Sequence, residues 1–224
     1  FNSVFFTQSG GADSFAFYGT ASNDSVELSP ALSGVQIANT VGATLFAYLE
    51  VDNIISVAID GGAGDDSFNA TGLIEIAMDV NGGDPSGNDT LGVTGTSDPE
   101  DVTVDFSAGT VDGFGGTTSF SNIDHVHIDG GGGFGGDLLF LAGAAGNTIQ
   151  YAPSGSSAGS FQSDAVAPDF DFSNIDGPCF LEANGSLAVT GRSGIDDAIT
   201  VSASGAQAGS MNFGVGPTLI YSQV

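Results

Sequence analysis

Aspartates that close glycine-rich turns carry most of the chemical potential of this chain. Gly61-Gly-Ala-Gly-Asp-Asp66-Ser-Phe68-Asn69 and Gly132-Gly-Phe-Gly-Gly-Asp137-Leu-Leu139-Phe140 both follow the pattern G-G-x-G-x-D-x-U-x, with U apolar. Gly87-Asn-Asp89-Thr-Leu91 and Gly11-Ala-Asp13-Ser-Phe15 supply its second half. Glycine permits the tight turn, and Asp is a residue of turns, caps and hard-cation sites.

Other chemistry is thinly represented. His125, His127 and Asp129 alternate on one strand face, an arrangement that suits Zn2+ or Cu2+ and equally a solvated face. The vicinal pairs Asp65-Asp66 and Asp196-Asp197 place two carboxyls together, but neighbours on a strand point to opposite faces and form no dyad alone. No Ser/His/Asp set is legible, and no phosphate loop precedes a helix. Arg192 is the only Lys or Arg to stand beside the acids. The chain therefore reads as a non-enzyme, with a β-helix glycosidase or lyase as the third choice.

The charge balance sets the partners. Twenty-seven acids, 22 of them Asp, face one base, for a formal charge of −26. Such a chain cannot release counter-ions from phosphate, which excludes nucleic acid, and its self-repulsion must be relieved by salt or bound cations. Charged residues are only 12% and hydrophobic ones 41%, so a packed core is expected rather than an acidic tail. No apolar run reaches the roughly 18 residues that a membrane-crossing helix needs. Cys179 is the single cysteine, which excludes a disulfide framework and leaves a buried small hydrophobe or an intermolecular bridge. A chain that opens at Phe1 is read as a secreted, mature form or an excised piece. Sequons at Asn23, Asn69, Asn88 and Asn184 permit glycans.

The elements that must position the turns are legible as repeats. Asp13-Ser-Phe-Ala-Phe, Asp24-Ser-Val-Glu-Leu, Asp66-Ser-Phe-Asn-Ala and Asp89-Thr-Leu-Gly-Val each set a turn acid before alternating apolar residues, the mark of a half-buried strand. A second unit, Ser-Asn-Ile-Asp, occurs at Ser121 and Ser173. Asp66, Asp89, Gly113 and Asp137 lie 23, 24 and 24 residues apart. That period predicts a single right-handed parallel β-helix over residues 1–224, with rungs of about 24 residues, three short strands in each, and about nine rungs. Tandem β-sandwiches are the alternative. Residues 153–169 read as an irregular loop. Almost no helix is expected.

The glycine-aspartate turns resemble the hemolysin-type calcium-binding (RTX) repeat. The wider chain is similar to Gly/Asp-rich regions of large secreted bacterial surface proteins. The resemblance implies Ca2+ held between stacked turns by Asp66, Asp89, Asp137 and Asp13, with Asp65 beside the first. The two full matches stand 71 residues apart rather than in tandem, and the same turns also serve as ion-free corners of a solenoid. Residues 1–8 and 211–224 are uncharged apolar strands, suited to pairing with a neighbouring subunit. The expected function is a structural subunit or module of an extracellular fibre, surface layer or matrix, a homo-oligomer or filament. The alternative is an adhesin or carbohydrate-binding module that presents Tyr18, Tyr48, Phe114 and Phe134.

Overall fold

The computed structural model describes residues 4–7, 13–31, 34–41, 44–52, 54–72, 74–84, 87–132, 136–143, 146–163, 168–192, 199–214 and 217–223. The strands are β1 (Val4–Thr7), β2 (Asp13–Tyr18), β3 (Asp24–Pro30), β4 (Gly34–Val41), β5 (Thr44–Asp52), β6 (Ile54–Asp60), β7 (Ser67–Thr71), β8 (Ala77–Asn81), β9 (Thr90–Thr94), β10 (Asp101–Asp105) and β11 (Thr110–Asp112). They continue as β12 (Thr118–Ser121), β13 (His125–Asp129), β14 (Leu138–Ala142), β15 (Thr148–Gly155), β16 (Ala158–Ser163), β17 (Asp169–Ser173), β18 (Cys179–Glu182), β19 (Ser186–Val189), β20 (Thr200–Gly205), β21 (Ala208–Asn212) and β22 (Leu219–Ser222). Among the described residues there is no helix, and so none long and apolar enough to cross a membrane.

The fold is a parallel β-solenoid of about four turns. Its chain divides into two compact units, Phe1–Gly95 with Asp112–Val126, and Thr96–Val111 with His127–Val224. In the first unit the sheet orders are β1-β5-β4-β3-β7-β9 and β2-β6-β8-β12. In the second they are β13-β17-β16-β15-β19 and β10-β14-β18-β22-β21-β20. Each rung is one strand from each sheet with a turn between, so a rung holds two strands rather than the expected three.

Period-2 sequence makes these strands, and register stacks their apolar residues. Val26, Phe68 and Leu91 lie in register on β3, β7 and β9, and all three are buried. Val57 and Met78 do the same on β6 and β8. In the second unit Tyr151, Phe161, Phe170 and Phe172 fill the interior as a cluster of rings 4.7 to 6.4 Å apart.

The rung length departs from expectation for a physical reason. The 24-residue step is real once: Ser67 pairs with Thr90 and Ser56 with Ala77. Elsewhere the step runs from 37 residues (Asp101↔Leu138) to 42 (Ser25↔Ser67). Antiparallel excursions such as β3-β4-β5 and β15-β16-β17 absorb the difference. Alternation reads the same in a hairpin and in a rung, so nine rungs shrink to about four. The expected loop over 153–169 is mostly the β15–β16 hairpin, with residues 164–167 outside the described set. The ends also pair at home. β1 lies parallel on β5, and β22 sits between β18 and β21 with both edges bonded.

Phe68→Ala removes a ring with no exposed surface from the middle of a rung. We expect it to cost about 3–5 kcal/mol, read as a fall in the denaturant midpoint of the full chain.

Candidate functional site

The turn acids build a row, and each step of the row is the same bond. In the first unit the backbone N–H of Asp24 donates to Asp66 Oδ1 at 2.7 Å. The N–H of Asp66 donates to Asp89 Oδ1 at 2.8 Å, and that of Asp89 to Asp124 Oδ2 at 3.0 Å. Four successive turns are thus pinned by charge-assisted bonds that satisfy strand-entering amides. Asp24 ends the row. Its Oδ2 accepts from the Thr20 N–H (2.6 Å) and hydroxyl (2.9 Å), and its Oδ1 from Asn39 Nδ2 (2.8 Å).

The second unit repeats the device with Glu100. Its N–H donates to Asp137 Oδ1 at 2.9 Å, while its Oε1 accepts from the Thr96 N–H and hydroxyl. Gly19-Thr20-x3-Asp24 and Gly95-Thr96-x3-Glu100 therefore share one capping geometry. That spacing was the signal that would have found Asp24 and Glu100. It recurs as Gly191-Arg192-x3-Asp196, whose Asp lies outside the described residues.

Glycine is compelled where the turns touch. A Cβ on Gly82 would overlap the Asn122 carbonyl oxygen and lie 2.5 Å from Asp89 Oδ2. Asn122 reaches back in turn: from a left-handed conformation (φ 51°) its Nδ2 donates to Asn81 Oδ1 at 2.8 Å. Asn174 does the same in the second unit, on Asp129 Oδ1 at 2.7 Å. The Ser-Asn-Ile-Asp unit is thereby a turn that clips onto the preceding rung, with Ile123 and Ile175 buried beneath it.

The row does not fit a calcium ion. Oδ1 of Asp66, Asp89 and Asp137 is taken by an amide, while Oδ2 of each is sealed from solvent and has no partner. Ca2+ needs six to eight converging oxygens. Among the described residues no group of three or more His, Cys, Asp or Glu converges as a metal site. Asp66 and Asp89 are brought together, as the turn pattern anticipated. Asp65 lies outside them on the exposed side, its N–H on Asn23 Oδ1 and its Oδ1 accepting from the Asn88 N–H. Asp13 starts β2, half-buried and away from the row, and Asp137 belongs to the second unit. Asp196-Asp197 and Phe134 fall outside the described residues.

Burial pushes the carboxyls of Asp66, Asp89 and Asp137 above the ordinary range, against the pull of their amide donors, and neighbouring acids push the same way. Cys179 is fully buried, with its thiol pushed up to about 12 by burial, so it is a core residue rather than a bridge.

The outward faces hold what the sequence obscured. His127 Nδ1 meets Asp171 Oδ2 at 2.9 Å, and Ser173 Oγ lies 3.4 Å from His127 Nε2. The order Ser–His–Asp is that of a nucleophile relay. Here the histidine and aspartate side chains are 37% and 39% exposed on a strand face, so water screens their coupling, and the Ser–His contact is at the outer limit of a hydrogen bond. Phe140 and Phe180, half-exposed, stack 4.7 Å apart and 9° from parallel. Phe114, expected outside, is 5% exposed, whereas Tyr18 is 74% exposed. Nothing is described of the Tyr48 side chain.

Comparison with protein-family models, with curated proteins and with solved structures returns no match.

Two outcomes follow from the turn geometry. Gly82→Ala is expected to lower stability by about 1–3 kcal/mol, measured by denaturant unfolding, because backbone rather than a flexible side chain must yield. Thermal melting in EDTA is expected to match melting in added CaCl2; a Tm raised by Ca2+ would show a ligand set that the buried row does not form.

Proposed function

We propose that this chain is a non-enzymatic structural module of an extracellular fibre, surface layer or matrix, joined to further copies through β-edges. The observation that carries this reading is the open end of the first unit. Among the described residues β2 hydrogen-bonds only to β6. Phe15 and Phe17 on β2 are half-exposed, although their register partners Val57 and Ile59 are buried. An end rung with a partly open apolar face and a free backbone edge is completed by another strand.

The charge supports the same reading. A surface this acidic keeps faces apart, and backbone pairing at an edge does not depend on charge complementarity. Exposed turn acids such as Asp65 then draw counter-ions, Ca2+ among them, from the medium. Glycans would sit best at Asn23 and Asn88, whose side chains are exposed. The Asn184 amide is already spent on the Gly143 carbonyl at 3.2 Å.

One observation favours an adhesin as the second reading. Tyr18 stands over a groove of about 190 Å3 whose lining includes Ala16, Ala58, Asp60, Asp79 and Asn81. A flat aromatic ring beside small side chains and hydrogen-bonding groups suits a neutral sugar.

The expected result for the purified chain is concentration-dependent filaments or oligomers by electron microscopy and sedimentation. Ala16→Lys, an outward charge on the β2 edge, is expected to abolish them while leaving the melting curve close to that of the parent. Monodisperse monomers at every concentration and ionic strength would overturn the structural reading. Retention of a glycan by the parent and its loss in Tyr18→Ala would favour the adhesin.

A further inference from the structure

The buried acid rows have an electrostatic problem that no ion pair solves. Oδ2 of Asp66 and Asp89 in the first unit, and Oε2 of Glu100 and Oδ2 of Asp137 in the second, are sealed from solvent without a hydrogen-bond partner. An ionised carboxylate with a bare, buried oxygen is among the costlier states a protein can hold.

Every ionisable neighbour makes it worse. Asp66 faces Asp24, Asp84, Asp65 and, one turn on, Asp89. Asp89 faces Asp66, Asp124 and Asp84. Asp137 faces Glu100 and Asp176. The groups that touch the first row from β4 and the capping turn, Asn39 and Thr20, are neutral. From β13, His125 brings a backbone N–H to the Asp89 carbonyl. The sequence of the first unit contains no Lys or Arg at all. The geometry leaves one inexpensive state for such an oxygen, which is to carry a proton.

We propose that the two rows are proton-holding ladders: in the folded chain, carboxyls of Asp66, Asp89 and Asp137 stay neutral where isolated Asp would be ionised, and the solenoid is a structure stabilised by acid and loosened as pH rises. This disagrees with the calcium role that the turn pattern implies, and it explains the pattern without an ion. Glycine is needed where the turns meet backbone to backbone. Aspartate is needed because one oxygen must accept the next amide. The apolar slot fills the core.

The direction of the pH effect follows from linkage. The carboxyls of Asp66, Asp89 and Asp137 are raised above 3.8 in the folded chain, by burial first. Below that value both folded and unfolded chains hold the proton, and the stabilisation is fully present. As pH climbs towards and through the raised folded values, the unfolded chain sheds protons that the folded chain keeps, so stability is lost. Each retained proton makes the folding constant fall about tenfold per pH unit across that window. A paired aspartate gives the opposite slope.

The test is the denaturant midpoint of the full chain from pH 4 to pH 8 in 1 M NaCl, where repulsion between surface charges is screened within about 3 Å. Asp89→Asn keeps the shape and the amide-accepting oxygen and removes the charge. Asp101→Asn makes the same charge change at an exposed position. The expected result is a midpoint that falls with rising pH in the parent and in Asp101→Asn, and a shallower fall in Asp89→Asn, which exceeds the parent at pH 8. A parent that gains stability with pH, or equal slopes in all three, would overturn the proposal. So would a Ca2+-dependent rise at pH 8 that Asp89→Asn loses. Should Asp89→Asn not fold, carbon-13 NMR titration of the parent's side-chain carboxyls decides. A subset must titrate well above the ordinary Asp range, and their absence sinks the proposal.

Discussion

The bond from one turn's amide to the next turn's carboxylate is the constraint on which the solenoid depends. A parallel stack needs a reason for each turn to sit in register over the last, because parallel strands are not joined by a hairpin that would fix it. In the first unit that reason is the sequence of donations Asp24→Asp66→Asp89→Asp124. It holds the amide at the point where each strand begins, and so sets which side chains follow on the inward face. A slip of one residue would turn Phe68 and Leu91 outward together. The ladder and the core therefore specify the same register by different means.

The ladder also explains which residues the turns must contain. Close stacking removes the space for a Cβ at Gly82, where the Asn122 carbonyl and the Asp89 carboxylate both crowd in. A longer acid is tolerated only at the start of a row, where Glu100 is held by Thr96 as Asp24 is by Thr20. Inside the row Gly62 and Gly83 stand in the place of the threonine, and the second carboxylate oxygen goes without a partner. Capped ends and uncapped interiors are thus chemically distinct, though the sequence pattern of the turns looks alike.

Much of this was legible in residues. Alternation after Asp66 and Asp89 gave real strands, and their separation of 23 gave one real rung. The parallel class was legible because turn acids came back at a fixed phase relative to the apolar positions. The count of rungs was not, since β4 and β16 carry the same alternation as rung strands and only pairing reveals that they run antiparallel. Asp24 and Asp124 were hidden for a different reason: neither has the glycine cluster that marked Asp66 and Asp137. His127, Asp171 and Ser173 come from strands whose order in the sheet a single sequence does not contain.

The acidity of the chain has two parts with different physics. Exposed acids such as Asp65 and Asp101 are solvated, and salt relieves them. The buried rows are not relieved by salt, because screening does not reach a sealed oxygen. Positive side chains would ordinarily answer them, yet the chain has one Arg and no Lys, and a lysine inside a turn this tight would have no room beside the stacked glycines. A proton is the only cation small enough to enter without moving the backbone. A solenoid that relies on amide-to-carboxylate steps, and packs its corners with glycine to bring them close, has thereby tied its register to the acidity of its surroundings.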